Sequence, residues 1–161
     1  MKSLFDFIVE PVGQRYNNEI KIGDKSLVIN TKVESYKSVN NIAKVISVPL
    51  IYKTVIQPGD LLMIHHNVFR RFYDIKGKEK NSKSYFKDNL YFVQLDQVYL
   101  YKRNDNWKAF GNRCFVAPLK DEVEINNWIE QKLIGVLKYG NSALEALEIN
   151  EGDLVGYKPF G

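Results

Sequence analysis

Short apolar runs broken by Gly, Pro, Asn and Asp set the rhythm of this chain, and β-branched and aromatic residues fill them. That pattern predicts many short strands with tight turns. Phe5-Asp6-Phe7-Ile8-Val9-Glu10-Pro11 reads as a first strand, stopped by Pro11 and Gly13. Leu27-Val28-Ile29-Asn30-Thr31 is a short apolar run inside a long polar stretch. Ala43-Lys44-Val45-Ile46-Ser47-Val48-Pro49 alternates and ends at a proline. Gln57-Pro58-Gly59-Asp60 is a turn, and Leu61-Leu62-Met63-Ile64-His65-His66 is the strand after it. Tyr91-Phe92-Val93 and Gln97-Val98-Tyr99-Leu100-Tyr101 follow, with a turn at Asn104-Asp105-Asn106 and another strand at Arg113-Cys114-Phe115-Val116-Ala117-Pro118. Ser142-Ala143-Leu144-Glu145 has the capping-box spacing that starts a helical turn, though a plain loop fits it as well.

The later strands echo the earlier ones. Phe7-Ile8-Val9-Glu10-Pro11 matches Cys114-Phe115-Val116-Ala117-Pro118, and Lys44-Val45-Ile46-Ser47 matches Gly135-Val136-Leu137-Lys138. Ile56-Gln57-Pro58-Gly59-Asp60-Leu61-Leu62 matches Ile149-Asn150-Glu151-Gly152-Asp153-Leu154-Val155. The last unit has a physical logic: glycine takes a positive φ, aspartate caps the turn, and the apolar pair opens the next strand. An internal repeat is the expectation, with a full copy up to residue 103, a junction at 104–112 and a partial copy over 113–161 without its closing hairpin.

Composition narrows the function. The 161 residues are 45% hydrophobic and 26% charged, ordinary for a globular protein, and a net charge of +4 is too weak to imply nucleic acid by itself. No run approaches the ~20 apolar residues that cross a bilayer, and the first residues lack a cleavable apolar core, so the expected place is the cytoplasm. Cys114, the single cysteine, excludes an intrachain disulfide, and its apolar strand reads as a buried, inert thiol. His65 and His66, adjacent on a predicted strand, should face opposite sides and so cannot share a metal. No nucleophile elbow, phosphate-binding loop or dinucleotide fingerprint is present. The expectation is no enzyme, no cofactor and no metal.

Two segments remain as candidate binding sites. From Phe69 to Lys87 seven basic residues face only Asp74 and Glu79. Arg70, Arg71, Lys76, Lys78, Lys80 and Lys83, interleaved with aromatics, suit single-stranded nucleic acid. A solvated loop whose aromatics anchor its two ends fits better, because the rings cluster at those ends. Leu27, Val28 and Ile29 form either a core strand, which periodicity favours, or a sticky patch carried on a loop.

The order of these elements resembles the GroES-like co-chaperonin family, including co-chaperonin-like proteins of bacteriophages. The likeness rests on Ala43-Lys44-Val45-Ile46-Ser47-Val48-Pro49, on Pro58-Gly59-Asp60-Leu61-Leu62 and on the closing Leu90-Tyr91-Phe92-Val93-Gln94-Leu95-Asp96-Gln97-Val98-Tyr99. It covers residues 4–102 in full and 113–161 in part. The resemblance implies an all-β fold: a partly open GroES-like β-barrel over 1–103 with a mobile loop near 14–41, and a second partial copy. It moves Leu27, Val28 and Ile29 from core strand to the loop that docks on a large, GroEL-like host chaperonin. It further implies a homo-oligomeric ring that caps a chamber holding a client protein, in the host cytoplasm if the gene is a phage's. A phage assembly protein built on the same domain is the other reading of that likeness. The departures are a short roof, Leu50 to Val55, the basic insertion from Val68 to Lys87, and too little chain between Pro118 and Lys132 for a full second loop. The unfinished second copy implies either a fragment or a strand supplied by a neighbour.

Overall fold

A computed structural model describes residues 2–16, 19–22, 25–28, 36–123 and 127–158. The fold is all-β and antiparallel. Its strands are β1 (Phe7–Pro11), β2 (Glu19–Ile22), β3 (Lys25–Val28), β4 (Ile42–Ser47), β5 (Leu61–Ile64), β6 (Phe72–Tyr73), β7 (Glu79–Lys80), β8 (Tyr85–Lys87), β9 (Leu90–Val93), β10 (Val98–Arg103), β11 (Asn106–Ala109), β12 (Phe115–Val123) and β13 (Asn127–Tyr139). One helical turn, α1 (Ser142–Glu145), precedes β14 (Leu154–Gly156). The chain divides into two compact units, Met1–Asn104 and Asp105–Gly161.

The main sheet has the order β11-β10-β5-β4-β1-β9-β8. Alternation explains its core. On β4, Ala43 and Val45 are buried while Lys44 and Ile46 are exposed; β5 buries Leu62 and Ile64, and β9 buries Tyr91 and Val93. Inner and outer faces thus follow the two-residue period of a pleated strand. Central β1 buries Phe7, Ile8 and Val9 in succession. Phe69 packs edge-on against Tyr91, ring centroids 4.9 Å apart.

The sheet curls. Were it flat, the four steps from β10 to β9 would hold those strands roughly 19 Å apart. Yet Val93 and Val98 are joined by a short link, three residues of which (Leu95–Gln97) form a 3-10 turn rising only about 2 Å per residue. So short a link cannot reach across a flat sheet.

Tight turns are where local sequence decides. Asp88 and Asn89 (φ +46° and +62°) join β8 to β9, and Asn104 and Asp105 (φ +49° and +66°) join β10 to β11. Two successive positive φ angles suit the right-handed strand twist, and Asn and Asp tolerate them best after glycine.

The second unit builds its sheet in the order β12-β13-β14 and repeats β1-β4-β5 residue by residue. In the first unit Val9 pairs with Val45, Pro11 with Ala43, and Ala43 with Leu62. In the second, Val116 pairs with Leu137, Pro118 with Gly135, and Gly135 with Val155. Register breaks at Ile8/Val9 and at Phe115/Val116, the same place in both. The turns agree in every bond. Gly59 N donates to Val45 O (2.8 Å) and Val45 N to Asp60 O (2.9 Å); Gly152 N donates to Leu137 O and Leu137 N to Asp153 O, both at 2.8 Å. Gln57 N donates to Asp60 Oδ2 (2.8 Å), as Asn150 N does to Asp153 Oδ2 (2.7 Å). Both glycines have the expected positive φ, +93° and +99°. The sequence match is corrected in one respect: Val45 corresponds to Leu137, not to Val136. A one-residue slip exchanges the faces of a strand, and Leu137, like Val45, is the buried residue.

Three further expectations are corrected. Cys114 is exposed, just ahead of β12, rather than buried within a strand. Asn141, not Ser142, caps α1, its side chain accepting from Ala143 N and Leu144 N. The strand containing Leu61 ends at Ile64, so His65 and His66 do not face opposite sides: their rings stack at 4.4 Å.

Candidate functional site

The polar stretch after β1 forms an excursion from the main sheet that leaves and returns between paired residues, Pro11 and Ala43. Asn40 closes its neck. This buried side chain donates through Nδ2 to Val12 O and Gln14 O, each at 2.8 Å, and accepts through Oδ1 from Ile42 N at 2.9 Å. Asn40 N also donates to Arg15 O, and Tyr16 bridges to Val39, both of them buried. A short polar side chain that satisfies three backbone groups holds two chain segments together where no sheet ladder does.

Within the excursion β2 and β3 form a two-stranded hairpin outside the main sheet, with Ile20 opposite Leu27 and Glu19 opposite Val28. Leu27 and Val28 thus lie on β3, a strand of that hairpin and not of the main sheet. Ile29 lies outside the described residues. The second unit has a hairpin at the same topological position. Beyond the Pro118–Gly135 pair, β12 and β13 pair again from Lys120↔Glu130 to Val123↔Asn127 after a register shift.

The basic segment is built rather than loose. Arg71 N donates to Tyr16 Oη at 2.6 Å, the Arg71 guanidinium lies 4.2 Å from the Tyr16 ring centroid, and its Nη1 is 3.3 Å from Glu79 Oε2. Arg15 donates to Phe69 O through Nη2 (2.9 Å) and Nε (3.2 Å), and to Asn81 Oδ1 at 3.0 Å. Neck and basic segment are therefore one assembly. Between them is a cleft of ≈ 350 Å³ lined by Gly13, Gln14, Arg15, Tyr16, Arg71, Glu79 and Asn89.

Past Arg71 the chain turns as the β6–β7 hairpin, not as an open loop. Asp74 organises its tip: Oδ1 accepts from Lys76 N (3.0 Å) and Lys78 N (2.9 Å), and Oδ2 pairs with Lys80 Nζ at 3.6 Å. Buried Ser82 donates to Val68 O, and β8 then joins the main sheet. Aromatics at both ends of the segment lie against the main sheet, Phe69 and Tyr85 on Tyr91 (ring centroids 4.9 and 5.5 Å) and Phe86 on Phe92 (4.9 Å). Phe69 is fully buried, but Phe72, Tyr73, Tyr85 and Phe86 are exposed, and Ile75 stands clear at the tip. Lys76, Lys78, Lys80 and Lys83 are exposed, while Arg70 and Arg71 are half-buried. Arg70 lies over the Phe72 ring at 5.4 Å. Arg71 and Lys80 are thus engaged by the segment's own carboxylates.

Two charged features near the closing strand escaped the sequence reading. Asp60, 6% exposed, receives Arg103 Nε at 2.9 Å on Oδ1 and Arg103 Nη2 at 2.6 Å on Oδ2, while Nη2 also donates to Val55 O. The paired guanidinium holds the Asp60 carboxyl below the ordinary carboxylate range. His66 is held below its ordinary pKa by burial and by the neighbouring His65 and Arg70. His65 caps the turn after β5, its Nδ1 accepting from Asn67 N at 3.1 Å.

Among the described residues no group of three or more His, Cys, Asp or Glu is gathered to hold a metal, and no helix is long and apolar enough to cross a membrane. No family model, curated protein or solved structure matches this chain.

Proposed function

We propose that this protein is a non-enzymatic co-chaperonin: a GroES-like barrel whose excursion between β1 and β4 docks on a large chaperonin and helps cap its chamber. The observation that carries the reading is the excursion itself. It leaves the sheet between paired residues, is closed at its neck by Asn40, and holds Leu27 and Val28 on a hairpin outside the main sheet. The backbone of such a hairpin is paired outside the main sheet's ladder. Burying apolar side chains of this size contributes roughly 1.5–3 kcal/mol each. Ordering the segment offsets part of that, so several copies around a ring would act by avidity.

The test is retention of the protein by a purified large chaperonin in the presence of ATP, compared with a variant in which Leu27, Val28 and Ile29 are all serine. Binding by the parent and its loss in the variant, with the melting temperature within about 2 °C, is the expected result. A parent that does not bind overturns the proposal. A variant that unfolds would return the tripeptide to the core.

A further inference from the structure

Two arginine–carboxylate pairs of the first unit differ in kind. Arg103 grips buried Asp60 with two nitrogens, Nε at 2.9 Å and Nη2 at 2.6 Å. Arg71 reaches Glu79 through Nη1 at 3.3 Å, and the Glu79 side chain is 47% exposed. Charge-assisted bonds of this type close to about 2.7–2.9 Å, and an arginine and a carboxylate favour two parallel bonds. Glu79 therefore stands at Arg71 without closing on it. Room is left beside the pair. The cleft of ≈ 350 Å³ runs from Arg71 and Glu79 to residues 13–16 of the neck, and a Cβ built on Gly13 meets nothing within 4 Å among the described residues. The walls are fixed: Arg15 holds Phe69 O and Asn81 Oδ1, and Arg71 N holds Tyr16 Oη. Two guanidiniums against one carboxylate leave the lining with a net positive charge.

We propose that this cleft is a binding site for a carboxylate, brought by an acidic peptide side chain or by a small free acid, which takes the place of Glu79 on Arg71. A carboxylate is the group Arg71 already meets, and the planar guanidinium fork matches it better than a lysine would. Arg71 is set for the purpose. Its guanidinium lies over the Tyr16 ring at 4.2 Å, and only 24% of its side chain is exposed, so a bond made there is weakened less by water. Arg15 contributes chiefly its charge, since each of its three side-chain nitrogens already donates to Phe69 O or Asn81 Oδ1. Gln14 and Asn89 bring amides to the same lining. Phosphate suits the site less, because Glu79 stays tethered on β7 and repels a dianion about twice as strongly as a monoanion. Size agrees. Pockets for small organic ligands hold about 300–1,000 Å³, so ≈ 350 Å³ takes one residue or a small acid rather than anything larger. This inference does not depend on the chaperonin reading.

The probes are a capped glycine-glutamate-glycine peptide, its glutamine counterpart, glutarate and inorganic phosphate. Each is titrated at low salt into the isotope-labelled 161-residue chain and followed by amide and arginine Nε–H chemical shifts. The glutamate peptide and glutarate should both shift Arg15, Tyr16, Arg71 and Asn89, and the tighter of the two identifies the source as a polypeptide or a free acid. The glutamine peptide should not bind. Arg71→Lys keeps the charge and the backbone bond to Tyr16 but loses the fork, and should weaken both acids at least about fivefold. Glu79→Gln removes the competing carboxylate and should tighten both at least about threefold. Glu151→Gln, which changes the net charge equally outside the cleft lining, should leave both unchanged. The proposal is overturned if neither acid binds, if phosphate binds as tightly as glutarate, or if the shifts centre on Lys76, Lys78 and Lys83 instead. Either cleft substitution without its expected effect overturns it as well.

Discussion

Asp60 and Asp153 occupy the same turn in the same hydrogen-bonded geometry, yet their side chains do different things. Asp60 is buried and holds Arg103, tying β10 to the turn before β5; Asp153 is exposed and, among the described residues, holds its own turn through Asn150 N. Removing a buried, charge-assisted partner leaves the opposing group uncompensated. Asp60→Ala is therefore expected to destabilise the first unit by at least about 2 kcal/mol, and Asp153→Ala the second by under about 1 kcal/mol. Urea titration of each variant checks the contrast; equal losses would refute it. His66 brings a pH dependence. Its pKa lies below 6.5 when folded, so the unfolded chain takes up the proton first as the pH falls. Stability contributed by neutral His66 is complete above pH 6.5 and is lost as the pH drops from 6.5 through the folded value. Between pH 7.5 and 5 the urea midpoint should fall less in His66→Gln than in the parent. An unchanged pH slope would mean that other groups cause the loss.

The strand pairs show how one repeat accommodates two different residues. Ala43 and Gly135 are equivalent, each opposite a proline, Pro11 or Pro118. Ala43 is fully buried in the first unit. A Cβ built on Gly135 would stand 2.5 Å from Val116 Cγ1 and 2.6 Å from Ala117 O. The β12–β13 pair thus approaches more closely than β1–β4, and only glycine fits. Gly135→Ala should cost the second unit about 1–3 kcal/mol through overpacking, although the same residue serves the first. A circular dichroism melt with no loss for Gly135→Ala would show that β12 yields without cost. The two copies keep their hydrogen bonds and change their side chains.

At the scale of the molecule, the core among the described residues is unevenly distributed. Among the described residues every buried hydrophobic belongs to the first unit except Leu137. Val45 N and Leu137 N make matching bonds, to Asp60 O at 2.9 Å and Asp153 O at 2.8 Å. Their hydrogen exchange therefore isolates the effect of the surrounding packing from that of the bond itself. Segments with few buried apolar contacts open at lower free energy, so Leu137 should exchange at least about tenfold faster than Val45, equivalent to about 1.4 kcal/mol. Equal rates would mean that the second unit is as stable as the first.

Much of this was legible along the chain because it is local. Strand positions, the turns at Gly59-Asp60 and Gly152-Asp153, and the turn at Asn104-Asp105 depend on residues within a few positions of one another, where φ preference and alternation act. The repeat could be read for that reason. The neck and the Asp60–Arg103 tie could not. Asn40 acts through Val12 and Gln14, Arg71 through Tyr16, and Arg103 through Asp60, partners as far as 55 residues away that only the folded chain brings together. His65 and His66 stack because the strand ends one residue before them, and Cys114 is exposed because β12 starts one residue after it. The pattern of short apolar runs and the matched motifs determined that the chain is rich in short strands and repeats itself. That Asp60 meets Arg103, 43 residues further on, was decided by tertiary structure alone, since the contact is one that sequence spacing does not encode.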